Sequence, residues 1–434
     1  MESINCLSPL DGRYKSKTEC LRDYFSEGSL IKYRTHIEML YLLYLLDFLH
    51  IPDSEFNFFE ITNKDVLEIK KIEKITKHDV KAIELFLRDK IKNKNIHEFI
   101  HFGLTSQDVN SSSYVLSMKE ANNDVVIPRI SRIMKIMDQK IVNWLNIPML
   151  SRTHGQPASP SILGKEILVF RTRLNKQLDQ LKEYNYTTKF GGAIGNFNSH
   201  YAAYPHLDWL KFADDFIDSM GLSRNQYTTQ IDNYDNYSEI FDILKRISVI
   251  LVDFCRDIWL YISQDYFIQL KIEEEVGSSA MPHKINPIHF ENAEGNLMMA
   301  ITLFEFMSRK LPVSRLQRDL TDSTVLRNLG TCYGHLLIGL ESIISGMKRI
   351  EVNKTEIQKD LQKNKIVLAE AVQTILRRER IENSYLLIKE MTRGGKDLDL
   401  DEMVVLLQEK GIQISEAGKS QIYNLDVHSY TGSF

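Results

Sequence analysis

The chain has 434 residues, 43% of them hydrophobic and 26% charged, enough for two or three domains with a large buried core, which excludes a disordered chain. Its 54 Lys and Arg against 58 Asp and Glu give a net charge of -4, so no global field favours nucleic acid or an anionic membrane, and an anionic substrate must be met by local groups. With 20 Gly and 10 Pro, below the usual ~7% and ~5%, the chain lacks the turn residues of a many-stranded sandwich or barrel, and composition leans towards helix.

In chain order, the N-terminal MESINCLSPLDGRYK has no apolar signal core, and no later helix is free enough of charge to be expected in a membrane. Residues 1–110 read as a first domain of shorter helices separated by polar turns, such as Pro52-Asp53-Ser54 and the tract from Lys92 to Asn95. At its boundary, FIHFGLTSQD brings together His101, Thr105, Ser106 and Asp108; taken alone, Thr105 or Ser106 followed by Asp108 reads as a helix N-cap. Cys6, Cys20, Cys255 and Cys332 show no CxxC spacing, so neither zinc nor a disulfide framework is suggested and a reducing cytosol is the plain reading.

Residues 111–348 carry apolar positions at helical spacing in at least five segments, which predicts a central bundle of long helices and an all-α fold. Stripes run near Ile130 to Leu145, along Leu163, Ile167, Phe170, Leu174, Leu178 and Leu181, and along Ile240, Ile243, Ile247, Ile250, Phe254 and Ile258. Others lie near Ala293 to Met307 and Tyr333 to Met347, with Pro128, Pro287 and Pro312 as starts or breaks. A helix from Ile240 to Leu270 would span roughly 45 Å at ~1.5 Å per residue, a length that favours coiled-coil-like packing. Several stripes are apolar on more than one side, as oligomer contacts would be.

SRTHGQPA places His154 in a turn opening the helix of the Leu163 stripe, where an exposed imidazole can titrate near neutral pH and give up a proton. Gly191-Gly192-Ala193-Ile194-Gly195 lacks a preceding strand and the GxGxxG spacing, and reads as a plain turn. Between two long helical patterns, KIEEEVGSSAMPHKINP at 271–287 packs Gly277, the hydroxyls of Ser278 and Ser279, the stiffening Pro282 and Pro287, the cation of Lys284 and the amide of Asn286. A flexible linker has no need of two prolines beside a lysine, so this loop is read as chemical. The histidines form no HxxxH or Cys/His cluster, so neither a catalytic metal nor a cofactor is called for. After about residue 348 the charge density rises, with Arg377, Arg378, Arg380 and an Arg393-Gly394-Gly395-Lys396 turn, and the helices shorten into a third domain over 349–434.

The 271–287 loop matches every fixed position of the GSSxMPxKxNP pattern of the fumarase/aspartase superfamily, and the stretches around His154 and His101 resemble its other two conserved regions, in the expected order. SPLDGRY from Ser8, KHDVK from Lys77, Thr229-Gln230-Ile231, SRLQRD from Ser314, Ser323 and Arg327 narrow the resemblance to the bacterial-type adenylosuccinate lyase family, over nearly the whole chain. His283 in MPHK points the same way.

That resemblance implies elimination of fumarate from a nitrogen-linked succinyl group, with Ser278 as base at the succinyl Cβ and His154 as acid at the leaving nitrogen. It implies phosphate donors at Arg13, Tyr14, Arg318, Ser323 and Arg327. It implies a substrate shell of Lys77, His78, Asp79, His101, Thr105, Ser106, Gln230, Lys284, Asn286 and Asn292. In relatives the three conserved regions meet from three subunits, so a cytoplasmic homotetramer with a shared helical core is expected. Other readings are another lyase of the superfamily, such as argininosuccinate lyase, or a non-catalytic helical scaffold. Intact Ser278, His154 and Lys284 argue against a dead site.

Overall fold

The structure is a computed structural model that describes residues 3–52, 56–270, 281, 283–393 and 399–434. The chemical loop's Gly277, Ser278, Ser279 and Pro282, the Asp53-Ser54 pair, and Gly394, Gly395 and Lys396 lie outside the described residues.

Helix dominates. The principal helices are α1 (Glu27–Phe48), α2 (Asn63–Thr76), α3 (Asp79–Lys90), α4 (Ser106–Ala121), α5 (Ile127–Trp144), α6 (Leu163–Lys182), α7 (Trp209–Ser219) and α8 (Asp235–Ser263). They continue with α9 (Ile288–Lys310), α10 (Thr321–Leu326), α11 (Leu329–Met347) and, among the described residues, five C-terminal helices of 8 to 10 residues between Lys354 and Tyr423. Among the described residues three two-stranded sheets supplement them: β1 (Pro148–Thr153) antiparallel to β2 (Gln156–Ile162), β3 (Thr187–Lys189) parallel to β4 (Ser223–Asn225), and β5 (Phe267–Gln269) antiparallel to β6 (Ile350–Val352).

All five stripes lie on helices, and three local expectations are corrected. The N-terminal stretch is not made only of short helices: α1 has 22 residues, and its apolar side chains go all round because it is buried on several sides, so no single stripe announces it. Ser26 starts it, its hydroxyl accepting from the Ser29 N–H at 3.1 Å, and His50 just beyond it takes a left-handed φ of 51°. The Ile240 stripe ends at Ser263 rather than Leu270, because Asp265 turns left-handed (φ 58°) and the chain passes into β5. A strand, β3, does precede the Gly191 turn, and a six-residue helix, Asn198–Ala203, follows it. Pro128 has no N–H to give to an α ladder, and the turn before it, Asn122–Val126, is a π turn in which the Ile127 N–H reaches the Asn122 carbonyl.

The chain forms two compact units. The first comprises Met1–Arg132, Lys176–Val252 and Asn292–Ser342. One of its cores packs Met39, Leu42 and Leu46 of α1 with Ile69 of α2 and Ile83, Phe86 and Leu87 of α3. Elsewhere in it Phe304 of α9 stacks on Phe241 of α8 and meets Tyr333 of α11 edge-on. The second comprises Ile133–Asn175, Asp253–Glu291 and Ile343–Phe434, and there Phe170 of α6 packs edge-on against Phe254 of α8. Its C-terminal helices close on Val372, Leu376, Met403, Leu407 and Ile422. No described helix is long and apolar enough to cross a membrane.

Candidate active site

Within the first unit the FIHFGLTSQD stretch is an N-cap and more. Thr105 opens α4, its N–H donating to the Asp108 carboxylate at 2.8 Å. Asp108 is fully buried and also accepts from the Lys189 ammonium at 2.6 Å and from the Gly191 and Gly192 N–H groups at 2.8 and 3.1 Å. The glycine turn after β3 is therefore a cradle for a carboxylate, made possible because Gly192 and Gly195 take φ values of 75° and 85°. Burial pushes the Lys189 ammonium below its usual range while Asp108 pulls it back up, with the net shift downward.

Upstream in the same stretch, His101 takes a left-handed φ of 58° and its Nδ1 lies 2.6 Å from Glu38 Oε1 on α1. The Tyr41 hydroxyl, one turn further along α1, donates to the Phe102 carbonyl at 2.6 Å. Gly103 (φ 69°) lies against the buried His200 ring, and a Cβ there would come within 2.5 Å of it. Gly103→Ala should therefore lower stability by about 1–3 kcal/mol through overpacking and backbone strain, read as a lower urea midpoint.

The KHDVK stretch makes a second corner of this unit. Lys77 ends α2 in a left-handed conformation, and His78 caps α3 by accepting the Lys81 N–H on Nδ1 at 3.1 Å, which leaves Nε2 to carry the proton of a neutral ring. Asp79 pairs with Arg34 of α1 at 2.9 Å and lies 3.8 Å from Arg327. Burial would raise the Asp79 carboxyl, but Arg34, the Val80 N–H and Arg327 outweigh it, so its pKa falls below the usual carboxylate range. Arg34 is itself fixed by Asn110 of α4 at 2.7 Å.

At α10 the Arg318 guanidinium donates to Ser323 at 3.1 Å and to the Gln230 side-chain carbonyl at 3.4 Å, and its Nε is buried without a partner among the described residues. Beside it, Asp322 accepts from the Tyr234 hydroxyl at 2.9 Å. Asn292 of α9 donates to the Tyr14 hydroxyl at 3.2 Å, and Ser342 holds its carbonyl at 3.2 Å. Of the residues expected from sequence, the structure thus joins Asp79 with Arg327, Arg318 with Ser323 and Gln230, and Tyr14 with Asn292. Thr105 and Ser106 start α4, while Arg13, Lys77 and His78 are exposed.

In the second unit, His154 does not open a helix directly. It forms with Gly155 the two-residue tip of the β1–β2 hairpin, both at positive φ (53° and 74°), the geometry that matches strand twist in such turns, and β2 runs seven residues before α6 begins. The turn costs His154 some backbone strain and leaves its imidazole exposed. Lys284 is exposed and Asn286 half-buried in the segment leading to α9. Chemically, the first unit supplies guanidinium, hydroxyl and amide donors suited to a phosphate or carboxylate, and the second supplies an exposed imidazole.

Arg34, Glu38, Asp108, Lys189 and Asp322 were not singled out from sequence as site residues. A signal was present for the first two: a cation and an anion spaced i, i+4 within a long helix rich in apolar residues.

A family model described as lyase matches residues 57–301, and one described as adenylosuccinate lyase C-terminal matches residues 314–431. Adenylosuccinate lyase of Dictyostelium discoideum is 43% identical over 100% of this chain and 97% of its own length. That of Escherichia coli (strain K12) is 41% identical over 100% of this chain and 97% of its own. Among solved structures, fumarate lyase from Mesorhizobium sp. BNC1 superposes with a TM-score of 0.76 over 95% of both chains at 16% identity, a likeness of fold alone.

Proposed function

Since the chain belongs to the adenylosuccinate lyase family of the fumarase/aspartase superfamily, we propose that it eliminates fumarate from adenylosuccinate to leave AMP, and from succinyl-aminoimidazole-carboxamide ribotide to leave the aminoimidazole-carboxamide ribotide, in purine nucleotide synthesis. The observation that carries this reading is identity above 40% along the whole chain to relatives bearing that name.

Elimination needs a base for a weakly acidic carbon-bound proton and an acid for the departing amine. In this reading Ser278, as alkoxide, takes the Cβ proton, and the electron pair left behind is delocalised into the adjacent carboxylate, whose doubled charge Lys284 favours. That pair then forms the double bond of fumarate as the carbon–nitrogen bond breaks, and His154 gives its proton to the nitrogen. Serine is a feeble base in water, so loop N–H groups and Lys284 have to stabilise its alkoxide in a closed, dry site.

The phosphate falls to Arg13, Tyr14, Arg318, Ser323 and Arg327, for which the forked Arg318 already held by Ser323 and Gln230 is suited. Lys77, His78, Asp79, His101, Thr105, Ser106, Gln230, Asn286 and Asn292 complete the shell. The same reading includes a three-domain organisation (1–110, 111–348, 349–434), a homotetramer with shared sites and a cytoplasmic location. Self-association is supported by exposed apolar side chains on the long helices, among them Val249, Trp259 and Leu260 of α8 and Met298, Met299 and Phe306 of α9.

Purified protein should release fumarate from adenylosuccinate and from the ribotide, assayed side by side. Fumarate from argininosuccinate, with none from either purine substrate, would overturn the proposal.

A further inference from the structure

Resting on the reading of His101 as a substrate-binding residue, we propose that Glu38 is the positioning residue that holds His101 as a cationic donor, its Nε2–H directed at an oxyanion of the substrate. The geometry is specific. The Glu38 side chain is fully buried, its Oε1 lies 2.6 Å from His101 Nδ1, and Oε2 has no hydrogen-bond partner among the described residues. A buried carboxylate is costly unless it is paired, and among the described residues His101 is its only ion-pair partner.

The backbone that carries the imidazole is held in place. His101 is left-handed, the next carbonyl is tied to Tyr41, and Gly103 is pinned against His200. With Nδ1–H committed to Glu38, only Nε2 remains for a ligand, and His101 keeps 18% of its side chain accessible for one. Four residues earlier on α1, Arg34 braces Asp79. One helix, mostly buried and absent from the expected site, thus supports two of its motifs.

The other charged groups facing the pair are already engaged. Glu84 is bound by Lys81 and Arg88, and Asp108 by Lys189. Burial alone would lower the His101 pKa. The charge and hydrogen bond of Glu38, with smaller contributions from Glu84 and Asp108, outweigh it and raise the pKa above the ordinary histidine value. A function that needs the imidazolium is then present at low pH and lost as pH rises through that raised value, so removing Glu38 moves the loss to lower pH.

The test follows the imidazole signals by NMR, with that of His101 assigned by its disappearance in His101→Gln. In the unmodified protein His101 should titrate above the ordinary histidine value, and Glu38→Gln should lower its midpoint. Glu38→Gln should reduce kcat/KM by about 10- to 100-fold at neutral pH, with the basic limb of the profile moved towards acid, and Glu38→Asp should restore part of it. Affinity for AMP and for fumarate, measured separately, tells whether the oxyanion is phosphate or carboxylate. An unshifted His101 midpoint, a uniform loss of activity with the limb in place, or unchanged affinity for both ligands would overturn the proposal. Failure of the unmodified protein to release fumarate would sink the function reading instead, while the NMR titration still decides whether Glu38 controls His101.

Discussion

His154→Ala and Ser278→Ala are each expected to lower kcat by about 10²- to 10⁴-fold while substrate still binds. The physical reason is that, on the proposed function, each removes one half of an acid–base pair and little of the donor set assigned to the phosphate, Arg13, Tyr14, Arg318, Ser323 and Arg327. His154 sits on a hairpin tip whose left-handed geometry any residue there must adopt, so alanine leaves the strand pairing of β1 and β2 in place. Equilibrium binding of adenylosuccinate to the inactive variants, beside their turnover, separates the two contributions. If sites are shared between subunits, refolding the two variants together should return part of the activity, because some mixed assemblies contain a site with an intact His154 and an intact Ser278. A loss of binding as large as the loss of turnover in either variant would remove that residue from the acid–base pair. No recovery in mixed assemblies would count against shared sites.

The second large effect is on stability. Asp108→Ala is expected to cost about 3–5 kcal/mol, because it strands the Lys189 ammonium in a site with no accessible surface and leaves the Thr105, Gly191 and Gly192 N–H groups without their acceptor. Lys189→Met should cost less, since the carboxylate would keep those three N–H donors. The pH dependence has a definite sign. The Lys189 pKa is lower in the folded protein than in the unfolded chain, so between the two values the unfolded state binds more protons, and stability rises with pH across that window. Without Asp108 the folded-state value falls further and the window widens downward, so urea midpoints of Asp108→Ala should begin to climb at a lower pH than those of the unmodified protein. A pH-independent difference between the two would show that Lys189 is not held charged against Asp108.

How much of this was legible beforehand depended on whether a residue's role lay in local chain geometry or in long-range packing. The Leu163, Ile240 and Tyr333 stripes are periodic, and periodicity is a local property, so helices appear where they were expected. The N-cap at Thr105 was readable for the same reason. The α1 helix was not, because burial on several sides erases the stripe that marks an amphipathic helix. The sequence around His154 marks a turn but hides the hairpin, because the alternation of β1 and β2 is interrupted by Pro157 and Pro160 and by an irregularity in register between Leu150 and Arg152.

The sequence by itself determined the helical class and the motifs that identify the family, because long apolar periods and rare fixed spacings are carried by neighbouring residues. Only the tertiary structure decided that Glu38 answers His101 across 63 positions, Asp79 meets Arg327, and Lys189 closes on Asp108 across 81. Those pairings join residues from separate segments, and whether a charge is buried against an opposite one is settled by the packing of the helices that carry them.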